Sequence, residues 1–583
     1  MQLLTSRCIH HVRSTGLAVA YVALSLAAFF KPGGLYAASP ELKYLTPPGG
    51  QRGSTVRVTC IGDFSWPVSI LAPGVEVSPC DESGKMELSI PDNLAADRVW
   101  IRLYNAQGIS TAVPFLIGTL HEISEEEPNN SPGNAQAVSD ESVTINGILQ
   151  KRGDVDGYSV ELTSGQTLVA AVDANSRLDS PMDAILQVAT VAGTVLAENH
   201  DAVGLDPRLA FTATKSGNYI IRIFAFPAKP GQKIFFSGDD DYVYRLTLTT
   251  GPYITHTIQL SAPQTDPGEV ELFGWNILPG TTLPVVPFGG STLANYVEHE
   301  SPGDLRNAPN DQLGLVFGMG YAGCARVRLV SHTVTSSATT SLTTSNLTAQ
   351  TDRKDAMELP PSNTVTGLLR TPGQTDTYRL PLTKGQHITI AVESQNLYSP
   401  MVPVLRLNDP TGAMAAEVSE TGPPKDAVIS YTVSDDGDYL LIVGDRFRHG
   451  GERYFYRLTV RVEEPDFELF ARADSLVITP DKPTEFSITV KRRGSQDGEV
   501  GPIKIAAIDL PAGVTSAAVA SQPTGPTSTE VKLVFSTTGP AYSGPIRIRG
   551  TVDQPKEIRR FARTPPKHAI SFEAIWLTVL VNP

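Results

Sequence analysis

The stretch "EEEPNNSPGNA", Glu125 to Ala135, sets three carboxylates against a proline and two asparagines, and "GDVDGY", Gly153 to Tyr158, brings a second acidic pair soon after. Crowded carboxylates repel one another unless a cation sits between them. Glu125, Glu127, Asn129, Asn130, Asp154 and Asp156 offer hard oxygen donors of the kind calcium takes six to eight of. Glu125 and Glu127 alternate, side-chain amides follow, and Asp154 and Asp156 share a face if a strand has begun there. The competing reading is a solvated acidic linker between domains.

Other chemistry is sparse. There is no G-x-S-x-G elbow, H-E-x-x-H pair, C-x-x-C or phosphate-binding glycine loop. Among ten histidines only His299, in "EHE" (Glu298–Glu300), lies in a tight carboxylate cluster. On a strand it would point away from both glutamates, which reads as a solvated edge. With 61 acids, no pair can be singled out for glycoside hydrolysis. The sequence therefore points to a non-catalytic chain; a hydrolase with its site in 252–360 is the minor alternative.

The elements that would position these residues are strands. "TVRVTC" (Thr55–Cys60), "NYIIRIFAF" (Asn218–Phe226), "HITIAVES" (His387–Ser394) and "PIRIRGTV" (Pro545–Val552) alternate with period two. After the N-terminal segment no helical stripe is evident. The 49 glycines and 45 prolines suit frequent turns. The prediction is an all-β, multidomain chain of β-sandwiches, since 583 residues exceed one domain.

An internal repeat organises the chain. "GILQKRGDVDGYSVELTSGQTLVAAV" (Gly147–Val172) matches "GLLRTPGQTDTYRLPLTKGQHITIAV" (Gly367–Val392) at an offset of 220. "YRLTL" (Tyr244–Leu248) meets "YRLTV" (Tyr456–Val460) at 212, so one loop is eight residues shorter in the second copy. Gly165 and Gly385 fall where a tight turn needs positive φ. The length-variable loop, "FAFPAKPGQKIFFSGDDDY" (Phe224–Tyr242), is rich in aromatics suited to ligand contact, although Phe224 and Phe226 read equally as a strand entering the core.

Each copy resembles the bacterial pre-peptidase C-terminal domain, a β-sandwich appended to secreted peptidases. "EPNNSPGNAQAV", "GDVDGYSVELTSGQTL" and "SGNYIIRI" carry the resemblance in the first copy. "GQTDTYRLPLTKGQHI" and "DGDYLLIV" carry it in the second. The resemblance implies jelly-roll-like sandwiches at 125–250 and 361–462. Immunoglobulin-like modules are expected at 44–118, in 252–360 with a polar linker, and at 465–583. It also implies calcium: in the related collagen-binding modules an acidic linker folds back onto aspartates of the sandwich. The second copy lacks that set, because Gln374 replaces Asp154 and only Asp376 remains. No stretch here resembles the peptidase that usually accompanies such domains, which leaves the work to the modules themselves or to a partner chain.

The N-terminus reads as a secretory signal over residues 1–37, with Arg7 and Arg13 ahead of the apolar run Thr15–Phe30. An uncleaved anchor is the alternative; no later segment is long enough to span a bilayer. Its removal takes away Arg7, Arg13 and Lys31 and no acid, so the net charge moves from −14 to −17. So acidic a chain is poorly matched to nucleic acid or anionic membranes. Export favours disulfides, and Cys60 and Cys80 are close enough in sequence to pair, leaving Cys324 as a buried thiol. The expected role is a secreted, periplasmic or cell-surface binding or adhesion protein recognising polysaccharide, surface protein or matrix. A structural envelope component is the alternative.

Overall fold

The computed structural model describes residues 38–229, 231, 235–288, 298–300, 312–330, 333–335, 356–397, 399–419, 426–463, 465–493, 500–553, 557–565 and 570–581. The signal-like segment 1–37 and the polar stretch 336–355 lie outside them. Among the described residues no helix is long and apolar enough to cross a membrane. Apart from two short helical segments, Asn175–Leu178 and Gln395–Leu397, the regular structure of the described residues is strand.

Period-two patterning becomes two-faced strands. In Asp156–Leu162 the side chains of Tyr158, Val160 and Leu162 are buried while Glu161 is exposed. The first repeated sandwich has two five-stranded sheets. One runs His121–Ser124, Ser142–Ile148, Val243–Thr249, Thr167–Asp173, Arg208–Thr212; the other runs Gln136–Val138, Asp156–Leu162, Gly217–Pro227, Met182–Thr190, Val195–Asn199. The second sandwich has the same two orders, from Thr333–Thr335 to Ala427–Thr432 and from Met357–Glu358 to Met414–Ser419. Gly165 and Gly385 take φ of +87° and +82° in equivalent turns.

Two matched details explain residues shared by the copies. The Tyr158 and Tyr244 hydroxyls lie 2.6 Å apart across the first core, and those of Tyr378 and Tyr456 lie 2.7 Å apart across the second. Gly147 and Gly367 sit against the Tyr244 and Tyr456 rings, where a Cβ would come within 2.3 Å and 2.1 Å of Cζ. A side chain at either position would displace the tyrosine.

The repetition extends beyond the sandwiches. In the first module Leu42 pairs with Gly62 beside a bulge, and Gly49–Gln51 runs parallel to Leu116–Gly118. In the third module Ile254 pairs with Gly274 beside a bulge, and Ser261–Pro263 runs parallel to Arg328–Val330. Every partner is displaced by 212 residues, the offset also seen at the end of the sandwiches. The described chain thus contains two copies of a two-domain unit, 41–249 and 253–461, followed by a C-terminal β-domain. That last domain packs on the first: Trp100 meets Phe572 edge-on, Tyr104 lies 4.8 Å from Trp576, and buried Arg102 donates to Asp474 at 2.8 Å.

The expected Cys60–Cys80 disulfide is not formed; Cys60, Cys80 and Cys324 are free thiols. The strand Lys85–Ser89 lies between Thr55–Asp63, which carries Cys60, and Glu76–Pro79, which Cys80 directly follows. Two strand spacings separate their backbones by roughly 10 Å, beyond the ~7 Å that a disulfide spans. Cys60 instead packs at 4.0 Å from Met86 Sδ, and burial pushes its thiol up to about 12. "EHE" is a short strand, Glu298–Glu300, pairing with Ile570–Phe572.

Candidate metal centre

The acidic segment folds back over the first sandwich where strand Asp156–Leu162 begins. His121–Ser124 enters as an edge strand and Gln136–Val138 joins the opposite sheet. The chain between them, 125–135, must therefore cross from one sheet to the other. That crossing lays Glu125 to Asn130 across the start of the strand. Gly157 permits the approach, since a Cβ there would stand 2.9 Å from the Asn129 carbonyl oxygen. The second sandwich has Thr377 at this position.

All six residues singled out from the sequence meet in this place. One carboxylate oxygen each from Glu127, Asp154 and Asp156 lie within 4.8 Å of one another. Asp154 and Asp156 are fully buried and Glu127 is exposed at the rim. Asp154 Oδ2 accepts from the Gln150 amide at 2.7 Å, and Asn130 Nδ2 donates to Asp154 Oδ1 at 2.5 Å. Asn129 donates its backbone N–H to Glu127 Oε2 at 2.7 Å. Glu125 enters through Tyr244, whose hydroxyl is 3.2 Å from Glu125 Oε2 and hydrogen-bonds to Asp156 Oδ2.

Carboxylates are crowded together here, and two of them are raised above their usual range. Asp156 Oδ1 and both amide atoms of Asn129 are buried and bond to no other group of the protein. Burial, and then the charge of Glu125, push the Asp156 carboxyl up to about 9. Burial likewise raises Glu125. A hard divalent ion would satisfy the orphan oxygens and remove the repulsion at once. Four carboxylates and a side-chain amide carbonyl are five hard-oxygen groups of the kind calcium takes, and bidentate carboxylates or water would complete its six to eight ligands.

The second sandwich shows the same position satisfied differently. Gln374 Oε1 accepts from the Arg370 amide at 2.8 Å, as Asp154 does from Gln150. Its Nε2 then donates to Asp376 Oδ1 at 2.9 Å, while Tyr456 donates to Asp376 Oδ2 at 2.6 Å. Sequence reasoning had not given roles to Tyr244, Gly157 or the Gln374 amide. Only the recurrence of Tyr244 as Tyr456 hinted at the first.

The variable loop is seated beside this centre. The Gly153 amide donates to the Phe236 carbonyl at 3.2 Å and that of Leu149 to the Tyr242 carbonyl at 3.1 Å. Phe224 is buried in its strand, whereas Phe235 and Phe236 are 36% and 44% exposed. Phe236 packs on Phe224 and Phe226, and the Arg152 guanidinium lies 4.1 Å over Phe235.

Comparison with known proteins places a family on this sandwich. Residues 154–225 match the bacterial pre-peptidase C-terminal domain, so the chain carries such a domain. The solved pre-peptidase C-terminal domain of a Bacillus anthracis collagenase is 19% identical, covering 94% of that chain and 18% of this one, with a TM-score of 0.16. Aeromonas hydrophila PliG, a periplasmic inhibitor of g-type lysozyme, is 15% identical over 95% of its length and 22% of this chain, with a TM-score of 0.14. The Bacteroides ovatus protein SGBP-B, solved with a mixed-linkage heptasaccharide, is 10% identical over 73% of its length and 72% of this chain, at 0.13. No curated protein matches the chain.

Proposed function

We propose that this is a secreted or cell-surface binding protein without catalytic activity, in which calcium fixes the first repeated sandwich and its aromatic loop for contact with polysaccharide or a surface protein. The observation carrying the metal is the pair of buried, unpartnered groups, Asp156 Oδ1 and the Asn129 amide, facing a cluster of carboxylates. Glu125, Glu127, Asn129, Asp154 and Asp156 hold the ion, and Asn130 orients Asp154.

Calcium would tie the acidic crossing segment to the turn that carries Asp154. The Phe235–Phe236 surface is hydrogen-bonded to that same turn. Exposed aromatic rings on a rigidly seated loop suit sugar rings or apolar protein side chains. A structural envelope component is the second reading, favoured by the packing of the C-terminal domain on the first module.

Retention of the full chain on immobilised polysaccharides and cell-wall material, with calcium and with chelator, tests the proposal. Retention that falls with chelator and with Phe236→Ala is expected. Failure to be retained on any such material, or turnover of peptide or glycan substrates, would overturn the binding reading.

A further inference from the structure

A cavity of about 110 Å³ lies where the first module, the first repeated sandwich and the third module meet. Arg52, Asp173, Arg208, Arg245, Tyr253 and Cys324 are among the residues on its wall. The charges around it do not balance within the protein. Asp97 accepts from Arg177 and Arg326 at 3.1 and 3.0 Å, Asp173 lies 3.3 Å from Arg177, and Arg245 pairs with Glu122. Asp206 is turned onto the backbone N–H groups of Ala174, Asn175 and Ser176.

Two guanidinium groups are left without a carboxylate partner, while the Asp206 carboxylate is spent on backbone N–H groups. Buried Arg52 donates only to the main-chain carbonyls of Leu94, Ala96, Ile117 and Gly118, and lies 3.9 Å over the Phe317 ring. Arg208 rests against Tyr253 and Trp275. Neither makes an ion pair among the described residues. Arg208 Nε and Nη2 and Arg245 Nε are buried and bond to no other protein group. Guanidinium cannot shed its proton, so these N–H groups keep their charge and their need for an acceptor.

The second two-domain unit shows what this place accepts. Asp173 and Arg245 correspond there to Glu393 and Arg457, and Leu116 corresponds to Arg328. The Glu393 carboxylate sits between the two arginines. Arg328 Nε lies 3.1 and 3.2 Å from its two oxygens, and Arg457 Nη1 lies 3.5 Å from Oε2. In the first unit the shorter Asp173 is drawn off to Arg177. We infer that the junction cavity of the first unit binds a compact oxyanion, a carboxylate, phosphate or sulfate group, held by Arg245, whose counterpart Arg457 meets Glu393 in the second unit, and by Arg208, which stands where the second unit has Val428. Planar guanidinium forks match such groups.

Cys324 on the cavity wall provides the readout. The full-length native chain is treated with N-ethylmaleimide in sodium phosphate, sodium acetate or sodium chloride at equal ionic strength, and modification is mapped by peptide mass. Phosphate or acetate is expected to slow labelling of Cys324 several-fold relative to chloride, with the Cys80 rate unchanged. Protection by phosphate alone assigns a tetrahedral ligand; protection by acetate alone assigns a carboxylate. Arg208→Gln should label at the chloride rate in all three salts. Equal rates for the unaltered chain in all three, or protection that persists in Arg208→Gln, would overturn the inference.

Discussion

Gln374 Nε2 lies 2.9 Å from Asp376 Oδ1, whereas the equivalent oxygen of Asp156 has no protein partner. One sandwich satisfies the oxygen of its buried aspartate with an amide N–H; the other leaves it facing further carboxylates. Gln374→Ala would leave Asp376 Oδ1 and the Arg370 amide without this partner. A loss of about 1–3 kcal/mol from the second sandwich is expected in denaturant unfolding, with no change on adding calcium.

Gly157→Ala brings a methyl group against the Asn129 carbonyl. The crossing segment must then lift, at a cost of about 1–3 kcal/mol. Calcium affinity should fall while the fold persists. Thr377→Ala at the equivalent position of the second sandwich should leave calcium binding unchanged.

The contact between the third module and the second sandwich should weaken in acid. His256 is stacked between Phe273 and Phe455, with ring centres 5.4 and 4.3 Å away, and burial depresses its imidazole to about 4. A base whose folded value lies below its free value near 6.5 contributes stability above that pH and loses it as pH falls towards 4. The difference is worth up to about 3 kcal/mol. His256→Gln should flatten the acid limb of a stability profile between those limits; an unchanged limb would assign the loss elsewhere.

The fold class and the acidic cluster were legible because each is local in sequence. Alternation in Asp156–Leu162 marks a half-buried strand, and six oxygen-bearing residues in two short stretches mark crowded charge. What completes the centre is not local. Tyr244 reaches Asp156 from 88 residues away, and Gly157 matters only because the crossing segment passes over it. The duplication of the first and third modules is illegible in the sequence for a related reason. Their likeness lies in ladder register, while facing residues diverge, Leu116 becoming Arg328 and Cys60 becoming Leu272. The Cys60–Cys80 expectation failed on register too: the strand that separates them begins five residues after Cys80.

All three cysteines of the described chain should therefore react when the unreduced protein is alkylated in denaturant. Peptide mapping should find Cys60, Cys80 and Cys324 each modified. A disulfide-linked Cys60–Cys80 peptide would show that the strand order of the first module is wrong.

Equilibrium dialysis with radioactive calcium against the full chain tests the central claim most directly. One ion per chain is expected, with a dissociation constant on the order of 0.1–1 mM, as in extracellular modules. Asp156→Asn and Glu127→Gln should each weaken or abolish binding, and Asp376→Asn should leave it intact. No bound calcium, or binding indifferent to Asp156 and Glu127, would contradict the account.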